Sequence, residues 1–584
     1  MQKVKIFIAS LLAMLVLITA CKDDFLEVAP TGSLSSVELS TLPGLEGSLI
    51  AAYSILLGRG GGQDGNGNNI FADGFYADAS NWFWGSVLGG EANKGTNAGD
   101  QGQVNEIQIY AAQTTNASVF QKYAASYEGV SRCNATLRLI GVAEADGIVS
   151  SADLTRISAE ARFLRGHFYF ELKKNFNNTP YVDETWDEVS TVSNDQDLWP
   201  FIEADFQFAF DNLPETQGDA GRANKWAAAA YLGKAFLYQG KWAEAKVMFD
   251  DVITKGVTAN GQTYGLNDNY AEAFRSTNDN SLESVFASQA AAGTGSVQNA
   301  NPTFVLNFPN GDTGPGCCGF FQPSIELGNS FRTDANGLPL LDNSYNDPGN
   351  EVVQDQGIAS GDAFTPDAGN LDPRIDHSIG RRGIPYLDWG IHPGQSWIRD
   401  QPYAGPYSPK KFIYYLSGNG VENDLSSWTP GYTAVNYNII RYADVLLMAA
   451  EAEIELNNLD AGLGLINQVR ERAKNSPLLD ANGDPAANYV IEPYGSFASQ
   501  DQARTAVRFE RKLELSGEGH RKYDLVRWGI AEDVLNAYLT YERPFLNDPY
   551  GGAIFTSNND EYLPIPQSEI DLQGADVLIQ NPGY

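Results

Sequence analysis

The sequence predicts a mainly α-helical protein, built as a helical-repeat scaffold of TPR-like helix pairs that carries a large, irregular, loop-rich subdomain. Three observations lead there. Apolar residues recur at helical spacing over several long stretches. Residues 225–253 have the spacing of a tetratricopeptide (TPR) repeat. Residues 290–430 are rich in Gly, Pro, Asn and Asp and hold few helical runs. With 43% hydrophobic and 19% charged residues over 584 positions, the chain is globular rather than disordered.

In chain order, Lys3 and Lys5 precede a 15-residue apolar run from Ile6 to Ala20. A bilayer span needs about 20 such residues, so 1–20 reads as a cleaved secretory signal. The run ends Ile18-Thr19-Ala20-Cys21, a bacterial lipobox pattern that marks Cys21 as the lipidation site. Residues 21–45 form a lipidated, Ser/Thr/Pro-rich leader. Removing 1–20 takes away two lysines and no acid, which moves the formal charge from −34 to −36.

Residues 46–289 read as an N-terminal helical region. Periodicity starts near Pro43 and breaks at the Gly/Asn loop 59–69, and 70–105 is aromatic and Gly-rich. Helices follow over 117–140 and 157–174, the latter partnered by 200–213. Within 225–253, Gly233 and Ala245 allow two helices to approach. Leu232, Phe236 and Phe249 fill the seam, and Gly240 turns the chain. The segment 290–430 is too long for an ordinary loop and reads as an insertion into the scaffold rather than a separately folding unit. Residues 431–584 return to helices over 439–456, 461–473 and 500–516. The last opens with a capping box at Ser499 and Gln502. It sets Glu510 and Glu514, and Arg508 and Lys512, four apart; such like charges repel, so the helix should find ion-pair partners elsewhere.

Three cysteines remain besides Cys21. Cys133 lies in a helical pattern and reads as a buried apolar group. Cys317 and Cys318 are adjacent. Neighbouring Cα atoms sit about 3.8 Å apart, below the usual disulfide range of about 4.4–6.8 Å. That geometry weighs against a bond between them without excluding it.

Several segments together resemble the SusD/RagB family of Bacteroidetes outer-membrane lipoproteins. They are Glu160-Ala161-Arg162-Phe163-Leu164-Arg165 with Tyr169-Phe170-Glu171-Leu172, Gln322-Pro323-Ser324, Asp372-Pro373-Arg374, and Arg441-Tyr442-Ala443-Asp444-Val445-Leu446-Leu447. Glu510-Arg511-Lys512-Leu513-Glu514-Leu515, Glu518-Gly519-His520-Arg521, Arg527-Trp528-Gly529, Leu563-Pro564-Ile565-Pro566 and the ending Asn581-Pro582-Gly583-Tyr584 complete the set. Cys21-Lys22-Asp23-Asp24-Phe25 is similar to the acidic tag of surface-exposed lipoproteins in that phylum. The resemblance spans nearly the whole mature chain. It implies about four TPR-like helix pairs under a variable loop face. It also implies a surface glycan-binding lipoprotein, anchored in the outer membrane, that feeds oligosaccharide or polysaccharide to a SusC-like TonB-dependent transporter. Arg162, Arg441, Glu510, Arg511, Glu518, Arg521 and Asp524 are then expected to be framework ion pairs.

Sugars need exposed aromatic faces beside hydrogen-bonding side chains. Trp199, Trp226, Trp242 and Trp528 fall in scaffold segments. The candidate glycan-binding residues are Asp78, Asn81, Trp82 and Trp84, whose two tryptophans share a side if the segment is extended, with Trp389 and Trp397 in the central subdomain. Phe320 is a further candidate. No catalytic residue is nominated. The chain lacks G-x-S-x-G, H-E-x-x-H and Walker A patterns, and its four histidines (His167, His377, His392, His520) lack metal-ligand spacing. No cofactor or metal site is expected. Asp480-Ala481-Asn482-Gly483-Asp484 departs from a calcium loop at Pro485, and a structural calcium elsewhere stays open. The acidic balance excludes nucleic acid, whose phosphates demand a cationic surface, and disfavours strongly anionic glycans. Two other readings stand beside glycan capture: a RagB-like peptide-capturing lipoprotein and a surface glycoside hydrolase.

Overall fold

The computed structural model describes residues 36–59, 74–311 and 313–584. The signal 1–20, Cys21 and most of the leader lie outside the described residues.

Twelve α-helices of seven or more residues stand among the described residues. They are α1 (Leu42–Tyr53), α2 (Ala117–Asp146), α3 (Ser151–Phe176), α4 (Trp199–Asn212), α5 (Lys225–Tyr238), α6 (Trp242–Lys255), α7 (Tyr442–Glu455), α8 (Leu459–Lys474), α9 (Gln500–Glu514), α10 (Arg521–Arg527), α11 (Ala531–Glu542) and α12 (Gln567–Gln573). Side-chain caps start many of them. The Thr41, Asn116, Ser150, Asn224 and Ser499 side chains accept first-turn N–H groups, satisfying donors a helix end leaves orphaned. At α9 the Gln502 side chain also reaches back to the N–H of Ala498.

Consecutive helices pack from α1 through α9, giving the pairs α1/α2, α3/α4, α5/α6 and α7/α8 with α9 closing the row. Helix α6 packs directly on α7 although nearly 190 residues separate them, so the repeat array continues across the loop-rich insertion. Gly233 shows why the α5/α6 seam closes. A Cβ there would lie 2.7 Å from the Phe249 ring.

Several local expectations change: α3 starts at Ser151 rather than 157, and α2 runs on to Asp146 rather than ending at 140. The helix expected over 439–456 begins only at Tyr442. Residues Tyr437–Arg441 form a strand that pairs antiparallel with Ser284–Ser288, because β-branched Ile439 and Ile440 fit a ladder between core layers. The expectation against a Cys317–Cys318 bond is also overturned: the two are disulfide-bonded, with Cα atoms 3.0 Å apart across a cis peptide. Cys133 is buried and free, as expected.

One apolar cluster runs from Leu45 to Leu578 and takes in Val305, Phe320 and Phe412 from the loop-rich segment. A second joins Leu327, Phe331 and Ile375 of that segment to Phe509 and Leu513 of α9. Between them lies a buried charge network. Glu514 pairs with Arg441 (2.6 Å), Arg374 (3.0 Å) and Arg472. Glu510 pairs with Arg374 (2.7 Å) and Arg470 (2.9 Å). Glu283 bridges Arg441 (2.8 Å) and Arg472 (3.0 Å), and Glu518 bridges Arg441 and Lys411, both at 2.7 Å. Asp372 holds Arg374. Burial alone would raise the Glu514 carboxyl, yet the three guanidiniums hold it well below the usual carboxylate range. A second chain runs Lys234–Asp444–Arg511–Asp524–Arg527–Glu451. The expected framework ion pairs therefore form, including Arg162 with Asp205. Arg521 is the exception: among the described residues it has no direct ion pair and acts through space, on Glu91, Tyr345 and Lys512.

Removing one member of a buried network strands the others' charge. Glu514→Ala should lower unfolding stability at neutral pH by about 3–5 kcal/mol, read by urea denaturation. A loss below about 1 kcal/mol would show that the network adds little net stability.

Candidate functional site

The first nominated cluster is core, not surface. Trp82–Val87 winds into a π-helical turn rather than an extended strand, so Trp82 and Trp84 do not form a shared outward platform. Each is only 1% exposed. Trp82 packs against Tyr76, Phe83 and Phe321, and Trp84 Nε1 donates to the Tyr76 carbonyl. Asn81 Nδ2 donates to Ala79 O and to Glu171 (3.0 Å), while its Oδ1 accepts from the Tyr523 hydroxyl. The Asp78 carboxylate accepts the Ser80 N–H at 2.7 Å, and burial pushes it up to about 6. The reason is a close backbone crossing. The 80–85 turn lies against the 517–519 turn so tightly that a Cβ on Gly85 would fall 1.8 Å from the Gly519 carbonyl oxygen. Phe320 is also buried, in a strand (Phe320–Pro323) paired with Ala92–Gly95.

The central pair divides. Trp397 is buried edge-on against Tyr386 and His392, its Nε1 donating to Thr313 at 3.0 Å. Trp389 is half-buried on a loop, its Nε1 donating to the Tyr414 carbonyl at 3.0 Å. The adjacent Asp388 carboxylate accepts the N–H groups of Leu416 (2.5 Å) and Ser417 (2.9 Å). That bond set braces the 388–391 loop against a second loop, 415–428. The second loop exposes Leu416, Val421, Leu425 and Trp428, and Ile391 is exposed on the first. Arg275 lies 4.1 Å over the Tyr415 ring, adding a charged hydrogen-bond donor beside the apolar surface. Trp389, Leu416 and the Tyr415 ring under Arg275 thus stand at the braced junction, and Val421, Leu425 and Trp428 are exposed farther along the second loop.

Among all ten tryptophans only Trp428 (53%) and Trp186 (43%) are substantially exposed. Sequence reasoning passed over Trp186. The signal was present: it stands in Asp183-Glu184-Thr185-Trp186-Asp187-Glu188, a connection between helices with no apolar neighbour to bury an indole.

Titratable groups are largely committed to the frame. All four histidines are pushed down to about 3–4 by burial, so they stay neutral at ordinary pH. Burial raises Glu91 to about 7, its carboxylate accepting the Gly517 N–H. Burial likewise pushes Glu542 up to about 8, against the Glu326 N–H it accepts; the nearby Glu326 carboxylate adds to the rise. No group of three or more His, Cys, Asp or Glu suited to a metal ion occurs among the described residues. The Asp480 carboxylate accepts the N–H groups of Asn482 and Asp484 in an exposed turn.

The model of the SusD family matches residues 282–584, more than half of the chain. This protein belongs to the SusD family. A second family model, described as starch-binding associating with outer membrane, matches residues 80–237. SusD-like protein P25 of Formosa agariphila is 28% identical over 428 residues, covering 69% of each chain. A SusD superfamily structure from Bacteroides vulgatus shares the fold at TM-score 0.67 and 21% identity, covering 94% of this chain and all of that one. A laminarin-binding SusD-like protein matches at TM-score 0.63 and 23% identity, over 93% and 99% of the two chains. This SusD-family chain has the TPR-like helical scaffold of those structures, and no helix among its described residues is long and apolar enough to cross a membrane.

Two outcomes follow from the burial. Trp82→Ala and Trp84→Ala should each cost about 3–5 kcal/mol of stability, the usual loss for a large core aromatic, seen as earlier thermal unfolding. A stable variant with altered ligand binding would contradict the core assignment. For Glu542, the folded carboxyl keeps its proton up to about pH 8 while the unfolded one loses it near the ordinary glutamate value of 4.5. Stability is therefore lost as pH rises through that window, by up to about 1.4 kcal/mol per pH unit. Denaturation of Glu542→Gln at pH 5 and pH 8 should show a shallower decline than the parent; parallel declines would reject the assignment.

Proposed function

We propose that this SusD-family protein is a non-catalytic, cell-surface glycan-binding lipoprotein. Anchored through Cys21, it captures neutral oligosaccharide on its loop face and passes it to a SusC-like TonB-dependent transporter. The observation that carries the reading is the braced loop surface of Trp389, Tyr415, Leu416 and Trp428 beside Arg275 and Asp388. Apolar ring faces meet the C–H face of a pyranose, and the polar rim meets its hydroxyls. The outer-membrane starch-binding description of the matched N-terminal model and the laminarin-binding neighbour support the same ligand class. The formal charge of −34 favours uncharged over anionic glycans. The acyl chains would anchor the body at about 0.8 kcal/mol per buried CH₂.

Calorimetry of the mature chain against starch, laminarin and other neutral glycans should find micromolar to millimolar binding. The double change Trp389→Ala/Trp428→Ala should weaken it at least about tenfold, or about 1.4 kcal/mol. Failure to bind any neutral glycan, peptides copurifying in place of sugar, or reducing-sugar release by the purified protein would each overturn the reading.

A further inference from the structure

Away from the loop face, a cleft of about 650 Å³ opens between helix α2, the 178–198 connection and the C-terminal helix α12. That volume lies inside the range of small-molecule sites. Its floor is the Tyr123–Tyr127 pair, with ring centroids 4.9 Å apart and tilted at 49°. Trp186 and Val189 stand at its mouth, and Glu569 and Gln573 of α12 close the far side.

The cleft is preformed. The Tyr127 hydroxyl donates to Pro180 O at 2.7 Å, and Asn134 Nδ2 donates to Val182 O at 3.0 Å. Asn134 Oδ1 in turn accepts from Arg165 at 2.9 Å, and the Arg138 guanidinium reaches Glu184 O. These bonds sew the connection to α2, a helix itself packed against α3. Folding thereby pays the ordering cost before any ligand arrives. Trp186 is the exposed group in this arrangement. Among the described residues its indole stacks on no other ring, and its Nε1 has no hydrogen-bond partner. An indole held on an anchored connection over a tyrosine-floored cleft exposes apolar surface that the monomer has not used.

We propose that this cleft is a second saccharide site, independent of the loop face, that takes a short neutral oligosaccharide. The proposal rests on the glycan-binding reading above and adds a location and a ligand charge class to it. Trp186 supplies the ring face for a pyranose. Asp187, Glu569 and Gln573 supply hydrogen-bonding groups around it. The charges select the class. Glu128 is spent on Arg132 at 2.8 Å, which leaves Asp187 and Glu569 against Arg138, so uronate or sulfated sugars meet net repulsion. Two sites on separate faces would let one chain hold a polysaccharide at two points, with a gain set by the span between them.

The test uses the whole mature chain labelled with 5-fluorotryptophan, its ten indole signals assigned with Trp186→Phe and Trp428→Phe. Starch- and laminarin-derived hexasaccharides, a uronate hexasaccharide and a Lys/Arg-rich peptide are titrated in turn. The Trp186 signal should shift with at least one neutral hexasaccharide, persist in Trp428→Ala, and require at least tenfold more ligand in Gln573→Ala. A shift at Trp428 with a silent Trp186 would overturn the second site and leave glycan capture standing. Silence at both would overturn both. A Trp186 response confined to the uronate or the peptide would overturn the neutral-sugar assignment.

Discussion

Glu514 sits inside a ring of guanidiniums with no access to solvent, and the fold is organised around that fact. Arg374, Arg441 and Arg472 surround it, while Glu510, Glu283, Glu518 and Asp372 neutralise the same arginines from other directions. With Arg470 and Lys411 the network holds five cations and five anions. Taking ions out of water is costly, and the cost is offset only when every charge is paired and hydrogen-bonded at once. The members come from α8, α9 and the turn after it, the end of strand Tyr437–Arg441, the residue just before strand Ser284–Ser288, and the loop-rich segment. Their pairing therefore demands that scaffold and insertion close in one register. The 290–430 segment, which lacks long helices of its own, is held by charge as much as by the apolar residues it lends to the core.

A rigid centre frees the periphery. Because α6 packs on α7 across the insertion, the long loops can leave the helical array and return without disturbing it. They end in surfaces such as the 388–391 and 415–428 loops, tied to each other through Asp388. The cleft beside α2 follows the same rule on a smaller scale, since backbone carbonyls of the 180–184 connection are bonded to helix side chains and the next residues are left to project. In both places a few fixed hydrogen bonds brace a segment that carries an exposed indole.

Much of the frame was legible from residues alone. Ser499 announces its helix because a capping side chain acts within three residues, whereas the helix expected from 157 starts six residues earlier, at the Ser150 cap. Gly233 with Phe249 announces a tight helix pair because the repeat has a fixed spacing. The like charges on α9 announced distant partners: Arg374, Arg441 and Arg470 pair with its two glutamates and Glu326 with Lys512, whereas Arg508 lies over the Trp528 ring with no ion pair among the described residues. The ordered family motifs carried the family assignment for the same reason: they are the frame's own ion pairs and close contacts.

The sequence by itself therefore determined the helical scaffold, its repeat seam and its acidic character, all of which rest on local periodicity, capping and composition. Which aromatics face outward was decided only by tertiary structure. Trp82 and Trp84 look like a surface pair in a Gly-rich segment, yet the crossing of the 80–85 turn with Gly519 places them in the core. Trp186 looks like an incidental residue in a polar connection, yet it stands at the mouth of a cleft. The same holds for Ile439 and Ile440, whose strand exists only because residues 284–288, some 150 positions earlier, lie beside them. Exposure and strand pairing depend on what distant segments bring alongside, and no local pattern encodes that.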